Sequence, residues 1–60
     1  MATTNEMEWA DAFARTMNEI GAPHDMGDLL DWAYEVFPQR GNQNPAVAAT
    51  EEWAAAKRAR

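Results

Sequence analysis

The chain has 60 residues, contains no cysteine and carries a formal net charge of −5 at pH 7. At this length only one domain fits, and without cysteine neither a disulfide nor a thiolate metal site can stabilise it. No apolar stretch approaches the ~18 residues that a membrane-spanning helix requires, and the N-terminus does not resemble a signal peptide. We therefore expect a small cytoplasmic domain, held together by its three Trp, two Phe and one Tyr or by self-association.

The charge is distributed unevenly along the chain. Residues 1–38 contain eight acidic side chains and one basic side chain, Arg15, which give a formal charge of −7. Residues 39–60 contain four basic and two acidic side chains, which give +2. The N-terminal part of the protein is therefore expected to repel anionic partners and to attract basic ones.

Residues 5–20 have the pattern of an amphipathic helix. At about 100° per residue, Trp9, Phe13 and Met17 share one face with Ile20 and two alanines, while acidic side chains dominate the opposite face. This periodicity predicts a first helix with one buried side.

Local signals mark both ends of this first helix. Two pairs of residues have the spacing of a capping box, in which a polar side chain and an acidic one cap free amides reciprocally: Thr3 with Glu6, and Asn5 with Glu8. At the other end, Gly21 supplies the left-handed residue that helix ends favour, and Pro23 blocks continuation.

Residues 26–37 are predicted to form a second helix, with Asp25 as its N-cap and Pro38 as its end. Its apolar residues cover about 200° of the helical wheel, which is wider than a surface helix needs. We therefore predict that the second helix is the centre of the core. Three residues clearly face water: Asp28, Asp31 and Glu35.

Residues 45–58 are predicted to form a third helix after a polar loop, with Asn44 as N-cap and Pro45 at the first helical position. Alanine gives this segment a high helix propensity, but Val47 and Trp53 lie about 120° apart and define no apolar stripe. We predict an all-α, three-helix domain in which the first two helices form an antiparallel hairpin. The third helix then packs across them or on a partner.

The sequence shows no convincing catalytic or metal-binding arrangement. It has neither serine nor cysteine as a nucleophile, and 60 residues leave little room for a water-excluding cleft. His24, Asp28 and Asp31 have a spacing that could aim them at one cation, but zinc prefers nitrogen and sulfur ligands, and a turn and helix cap explain the same residues. We therefore predict a protein that is not an enzyme and holds no metal or cofactor.

The glycine-containing turn between the first two helices has the length found in helix-turn-helix DNA readers. The second helix would then enter the major groove and present Asp28, Asp31 and Glu35 to the phosphates. Because DNA carries one negative charge per ~1.7 Å of axis, this face would be expelled. We predict no direct binding of nucleic acid.

Two features favour binding to another protein. The carboxylates of Asp28, Asp31 and Glu35 stand ~5–6 Å apart on one helix face and roughly imitate a row of phosphates. Trp53 has no apolar stripe around it, and tryptophan is enriched at binding hot spots. A solvated helix face that keeps the protein soluble also explains the acidic residues and is the commoner case. Packing in a tryptophan-rich core also explains Trp53.

We therefore predict a non-catalytic protein–protein interaction module whose partner-binding residues are Asp28, Asp31, Glu35 and Trp53. Its concrete form is a small acidic inhibitor or accessory protein, of the kind that phages and mobile elements encode, which masks a basic, nucleic-acid-binding surface of a host protein. Size and acidity motivate this form. The alternative is a homo-oligomeric structural module assembled through the third helix.

Overall fold

Three α-helices make up the part of the chain that the structure, a computed structural model, describes, namely residues 5–58. Helix α1 spans Glu6–Glu19, α2 spans Met26–Arg40 and α3 spans Pro45–Arg58. Helices α1 and α2 pack against each other, and α3 packs on α1. The predicted all-α, three-helix fold is confirmed, and α3 is covered by a helix of its own chain.

Helix α1 begins at a side-chain cap. The Asn5 Oδ1 accepts hydrogen bonds from the backbone N–H groups of Met7, at 2.9 Å, and Glu8, at 3.4 Å. These bonds satisfy two of the amides that a helix N-terminus leaves without partners. Asn5 is therefore the N-cap, and the alternative cap at Thr3 lies outside the described residues.

Helix α1 ends in a glycine turn that directs the chain into α2. Gly21 has a φ of 96°, in the left-handed region that favours glycine. Its N–H donates to the Asn18 carbonyl at 3.2 Å, and the Ala22 N–H donates to the Met17 carbonyl at 3.1 Å. These two bonds form a Schellman motif, and the accompanying apolar contact position, Ala22, is only 5% exposed.

Helix α2 continues past Pro38 to Arg40, so the prediction that Pro38 ends the helix was wrong. Proline lacks an N–H and crowds the preceding residue, which usually stops a helix. Here it lies in the last turn, where the only ladder bond it removes is the one to the Tyr34 carbonyl. The Gly41 N–H then closes the turn by donating to the Phe37 carbonyl at 2.7 Å.

The two remaining helix starts are capped differently. Asp25 holds the N-cap position of α2 with extended backbone, but its side chain makes no capping hydrogen bond. At α3, the Asn44 Oδ1 accepts from the Ala46 N–H at 2.8 Å, and Pro45 is the first helical residue as predicted. The loop that follows α2 therefore ends at the side-chain cap of α3.

The core is centred on α1, so the prediction that the second helix is its centre was wrong. Helix α2 contributes only Leu29 and Ala33 to the buried set, because much of its wide apolar arc stays at the surface, as at Met26, 38% exposed, and Tyr34, 41% exposed. Helix α1 has a neighbour on two sides and buries five residues at 4% exposure or less: Trp9, Ala10, Phe13, Ala14 and Met17.

Aromatic rings tie α1 to α2 and to the loop before α3. The Trp9 ring stacks on Phe13 with centroids 5.3 Å apart and meets Phe37 edge-on at the same distance. Phe13 in turn meets Trp32 at 6.3 Å. The Trp9 indole N–H donates to the Gln43 carbonyl at 2.9 Å, so this buried polar group is satisfied while its ring packs in the core.

Replacing Phe13 by alanine should lower the free energy of unfolding by about 3–5 kcal/mol, because Phe13 is fully buried and its loss leaves a cavity against two helices. That loss is comparable with the whole stability expected for so small a domain. Thermal melting followed by circular dichroism measures the effect. Met7→Ala is the control, since Met7 lies on the same helix at 67% exposure and should cost less than ~0.5 kcal/mol. Equal melting of Phe13→Ala and wild type would contradict the α1-centred core.

Candidate partner-binding surfaces

The exposed side of α2 carries the three predicted acidic residues. Asp28, Asp31 and Glu35 are all exposed and follow each other at spacings of three and four, so they form one row, called here the acidic row. Among residues 5–58, no basic side chain lies within 4 Å of any of the three carboxylates. The acidic row is therefore solvated and not neutralised by the described part of the fold.

Three other carboxylates among residues 5–58 are paired. On α1, Asp11 binds Arg15 at 3.0 Å one turn away, with both side chains largely exposed. On α3, Glu51 and Glu52 both bind Arg40 of α2. Four more carboxylates are exposed without a basic partner in this part of the chain: Glu6, Glu8, Glu19 and Asp25. The acidic row differs from them because it places three such charges on one helix face, where they repel each other slightly and a cationic partner would be attracted.

Arg40 links the end of α2 to α3. Its Nη1 donates to the Glu51 Oε1 at 2.8 Å, and its Nε forms an ion pair with the Glu52 Oε2 at 2.6 Å. Glu52 also accepts from the Trp32 indole N–H at 3.1 Å. The hydrogen bond to Glu51, together with the charge of Glu52, raises the pKa of Arg40 above its ordinary value and outweighs the effect of burial. The guanidinium therefore stays charged at every working pH.

Sequence reasoning missed this network, because it assigned Arg40 to a loop. No local spacing signals the contact, since Arg40 and its acidic partners belong to different helices. Only the prolongation of α2 beyond Pro38 and the packing of α3 bring the charges together. Arg40 and Glu52 are 27% and 20% exposed, so water screens this pair less than the Asp11–Arg15 pair.

Trp53 lies apart from the acidic row, on α3. It is partly buried and packs against the edge of the core. The His24 ring meets it at right angles with centroids 6.2 Å apart, and the Lys57 Nζ lies 5.7 Å from the centre of its ring. The structure therefore gives Trp53 intramolecular contacts on one side and leaves part of its ring exposed on the other.

His24 lies beside two tryptophans rather than within a cluster of metal ligands. Its ring meets Trp32 at 6.2 Å and 81°, in addition to Trp53. In the part of the chain between 5 and 58, no group of three or more histidine and acidic side chains converges on one point. The spacing of His24, Asp28 and Asp31 along the sequence thus does not produce a shared site there.

The opposite end of the bundle has an open cleft of about 370 Å³ between the start of α1 and the loop before α3. Its lining includes the capping residues Asn5 and Asn44, the edge of Trp9 and a single carboxylate, Glu8. With one titratable group among its lining residues, the cleft offers no acid–base pair for catalysis.

None of the helices within residues 5–58 combines the length and apolar character needed to cross a membrane. Comparison with known proteins finds no matching protein-family model and no similar curated protein or solved structure.

Replacing Glu52 by alanine should lower the free energy of unfolding by about 1–2 kcal/mol, because it removes an ion pair and the acceptor of the Trp32 N–H. Glu51→Ala is the matched control: it makes the same change one residue away, where the side chain is 53% exposed and bonds only Arg40. Urea unfolding compares the two. Equal losses in both variants would contradict the larger contribution expected of Glu52 from its contacts with both Arg40 and Trp32.

Proposed function

We propose that this protein is a non-catalytic protein–protein interaction module whose acidic row binds a basic surface of another protein. The observation that carries the proposal is the placement of three unpaired carboxylates on one exposed helix face. Glu51 and Glu52 are paired with Arg40, whereas Asp28, Asp31 and Glu35 are exposed and have no basic neighbour among residues 5–58. A partner that supplies basic side chains would relieve the repulsion along the row and gain charge-assisted hydrogen bonds.

The concrete form of the proposal is a small acidic inhibitor or accessory protein, of the phage or mobile-element type, acting in the cytoplasm. Its partner is a host protein whose basic surface normally binds nucleic acid. The acidic row is about 10 Å long, from the helical rise over its length, and places its charges at intervals that roughly imitate phosphates. The net charge of −5 adds a long-range attraction that speeds the encounter with a cationic surface.

Trp53 is proposed as a second, aromatic contact, on α3 and separate from the acidic row. Its side chain is partly exposed and already contacts His24 and Lys57, so we expect little side-chain freedom to be lost when a partner covers it. Tryptophan gives a large contact area at low entropic cost, which is the reason it recurs at hot spots.

Neutralising the acidic row, as Asp28→Asn, Asp31→Asn and Glu35→Gln together, should slow association with a basic partner about tenfold at low salt and flatten its salt dependence. Stability should be unchanged or slightly higher, because like charges are removed from exposed positions. The partner is first recovered by pull-down from host lysate at low and high salt. Stopped-flow association at two ionic strengths then gives the rates.

The matched control neutralises three exposed carboxylates of α1 by Glu→Gln replacement: Glu6, Glu8 and Glu19. Both triple variants have the same net charge of −2, which follows from removing three negative charges from −5. A difference between them therefore reports the position of the charge rather than its total. If both slow association equally, or neither does, the acidic row is only a solvated surface.

The alternative, a homo-oligomer assembled through the third helix, stays a prediction. The side of α3 that carries the buried residues Ala48 and Ala49 is covered by α1 of the same chain. A second copy would have to use the outer side, where Val47 is 50% exposed and lines a shallow depression with Ala46 and Thr50.

We expect the wild-type chain to sediment as a monomer, because copies with a charge of −5 repel each other and α3 is already covered. Sedimentation velocity over a range of concentrations tests this at moderate salt. The contrary result is a dimer that Val47→Lys dissociates, which would establish the alternative.

A further inference from the structure

Gly27 is a glycine that the fold itself does not require. It lies in the first turn of α2, is exposed and has no positive φ. A Cβ added there would meet no atom within 4 Å. Because glycine is a poor helix former, alanine at this position would serve the isolated domain better. The space above Gly27 is therefore open to a neighbouring molecule.

The outer face of α2 around Gly27 has two chemically different sides. Gly27, Asp31 and Tyr34 follow each other at spacings of four and three, so they run along the middle of this face. Asp28 and Glu35 flank this line on one side. On the other side the helix exposes apolar surface, including Met26 at 38% and Tyr34, at its edge, at 41%. The face is thus acidic along one flank and apolar along the other.

This pattern restricts what can cover the face. Nucleic acid and anionic lipid are repelled by the acidic row. A second copy that used the same face would place acidic row against acidic row, which like charges disfavour. The remaining fit is a protein element that is basic on one side and apolar on the adjoining side. An amphipathic helix has this arrangement and can lie along α2.

We propose that one basic amphipathic helix of the partner packs lengthwise on α2, with its closest approach at Gly27. Its apolar residues cover Met26 and Tyr34, and its basic residues meet Asp28, Asp31 and Glu35. The distance between two packed helices is set by the side chains at the contact, so a glycine there permits the nearest approach. This inference rests on the proposed function and adds to it the secondary structure of the partner and the point of contact.

The test uses the full 60-residue chain and a fluorescent synthetic peptide of leucine and lysine, patterned as an amphipathic helix. A scrambled peptide of identical composition is the peptide control. Gly27→Leu fills the open space above α2, and Ala55→Leu adds the same side chain at an exposed position of α3. Fluorescence anisotropy gives the affinities at two salt concentrations. Circular dichroism checks the fold, and Gly27→Ala replaces Gly27→Leu if the larger residue unfolds the chain.

We expect the wild type to bind the patterned peptide in a salt-dependent manner and more tightly than the scrambled one. Gly27→Leu should weaken binding about tenfold, and Ala55→Leu should leave it unchanged. Gly27→Ala, the smaller change, should weaken binding less while the melting temperature stays equal or rises.

Three results would overturn the inference. If Gly27→Leu binds the patterned peptide as well as wild type does, no helix approaches at Gly27, yet salt-dependent binding still supports the acidic row. If the scrambled peptide binds equally well, charge alone suffices and the partner need not be a helix. If wild type does not bind the patterned peptide, a helical partner is excluded. The proposed function is then still tested by a separate measurement, the association kinetics of the neutralised acidic row with the recovered partner.

Discussion

The burial of one face of α1 is the constraint on which the rest of this structure depends. A chain of 60 residues can bury only about 60% of its unfolded surface, so a single well-covered face has to supply most of the stabilisation. Trp9, Phe13 and Met17 provide that face, at 4% exposure or less. No single helix can cover it, and therefore α2 and α3 both pack on α1. The turn at Gly21 and the cap at Asn44 place them there.

This arrangement leaves α2 and α3 each with one covered side. Helix α3 buries only alanines, Ala48 and Ala49, which contribute little apolar area but allow close approach to α1. Its attachment to α2 is accordingly polar, through Arg40, Glu52 and the Trp32 indole. Such a network orients α3 relative to α2 rather than adding much to the free energy of unfolding, because partly exposed ion pairs contribute little energy.

The same geometry decides which charges remain available. The carboxylates of α3 are paired because they face the end of α2, whereas the acidic row points away from both neighbours. The open position at Gly27 and the exposed Met26 and Tyr34 lie on that same outward side of α2. Negative charge, apolar surface and free space therefore coincide on one helix face, and this coincidence supports the proposed binding of a basic protein element.

The sequence by itself determined the elements and most of their ends, because capping bonds and glycine turns join residues two to five positions apart. The side-chain caps at Asn5 and Asn44, the left-handed Gly21 and the exposure of the acidic row all follow from such local rules. The tertiary structure alone decided the rest. Pro38 is tolerated within α2 because it lies in the last turn, where proline removes only one backbone hydrogen bond. The Gly41 N–H still donates to the Phe37 carbonyl and closes that turn. The centre of the core and the partners of Arg40 depend on which helices are neighbours, and helical periodicity within one segment does not contain that information.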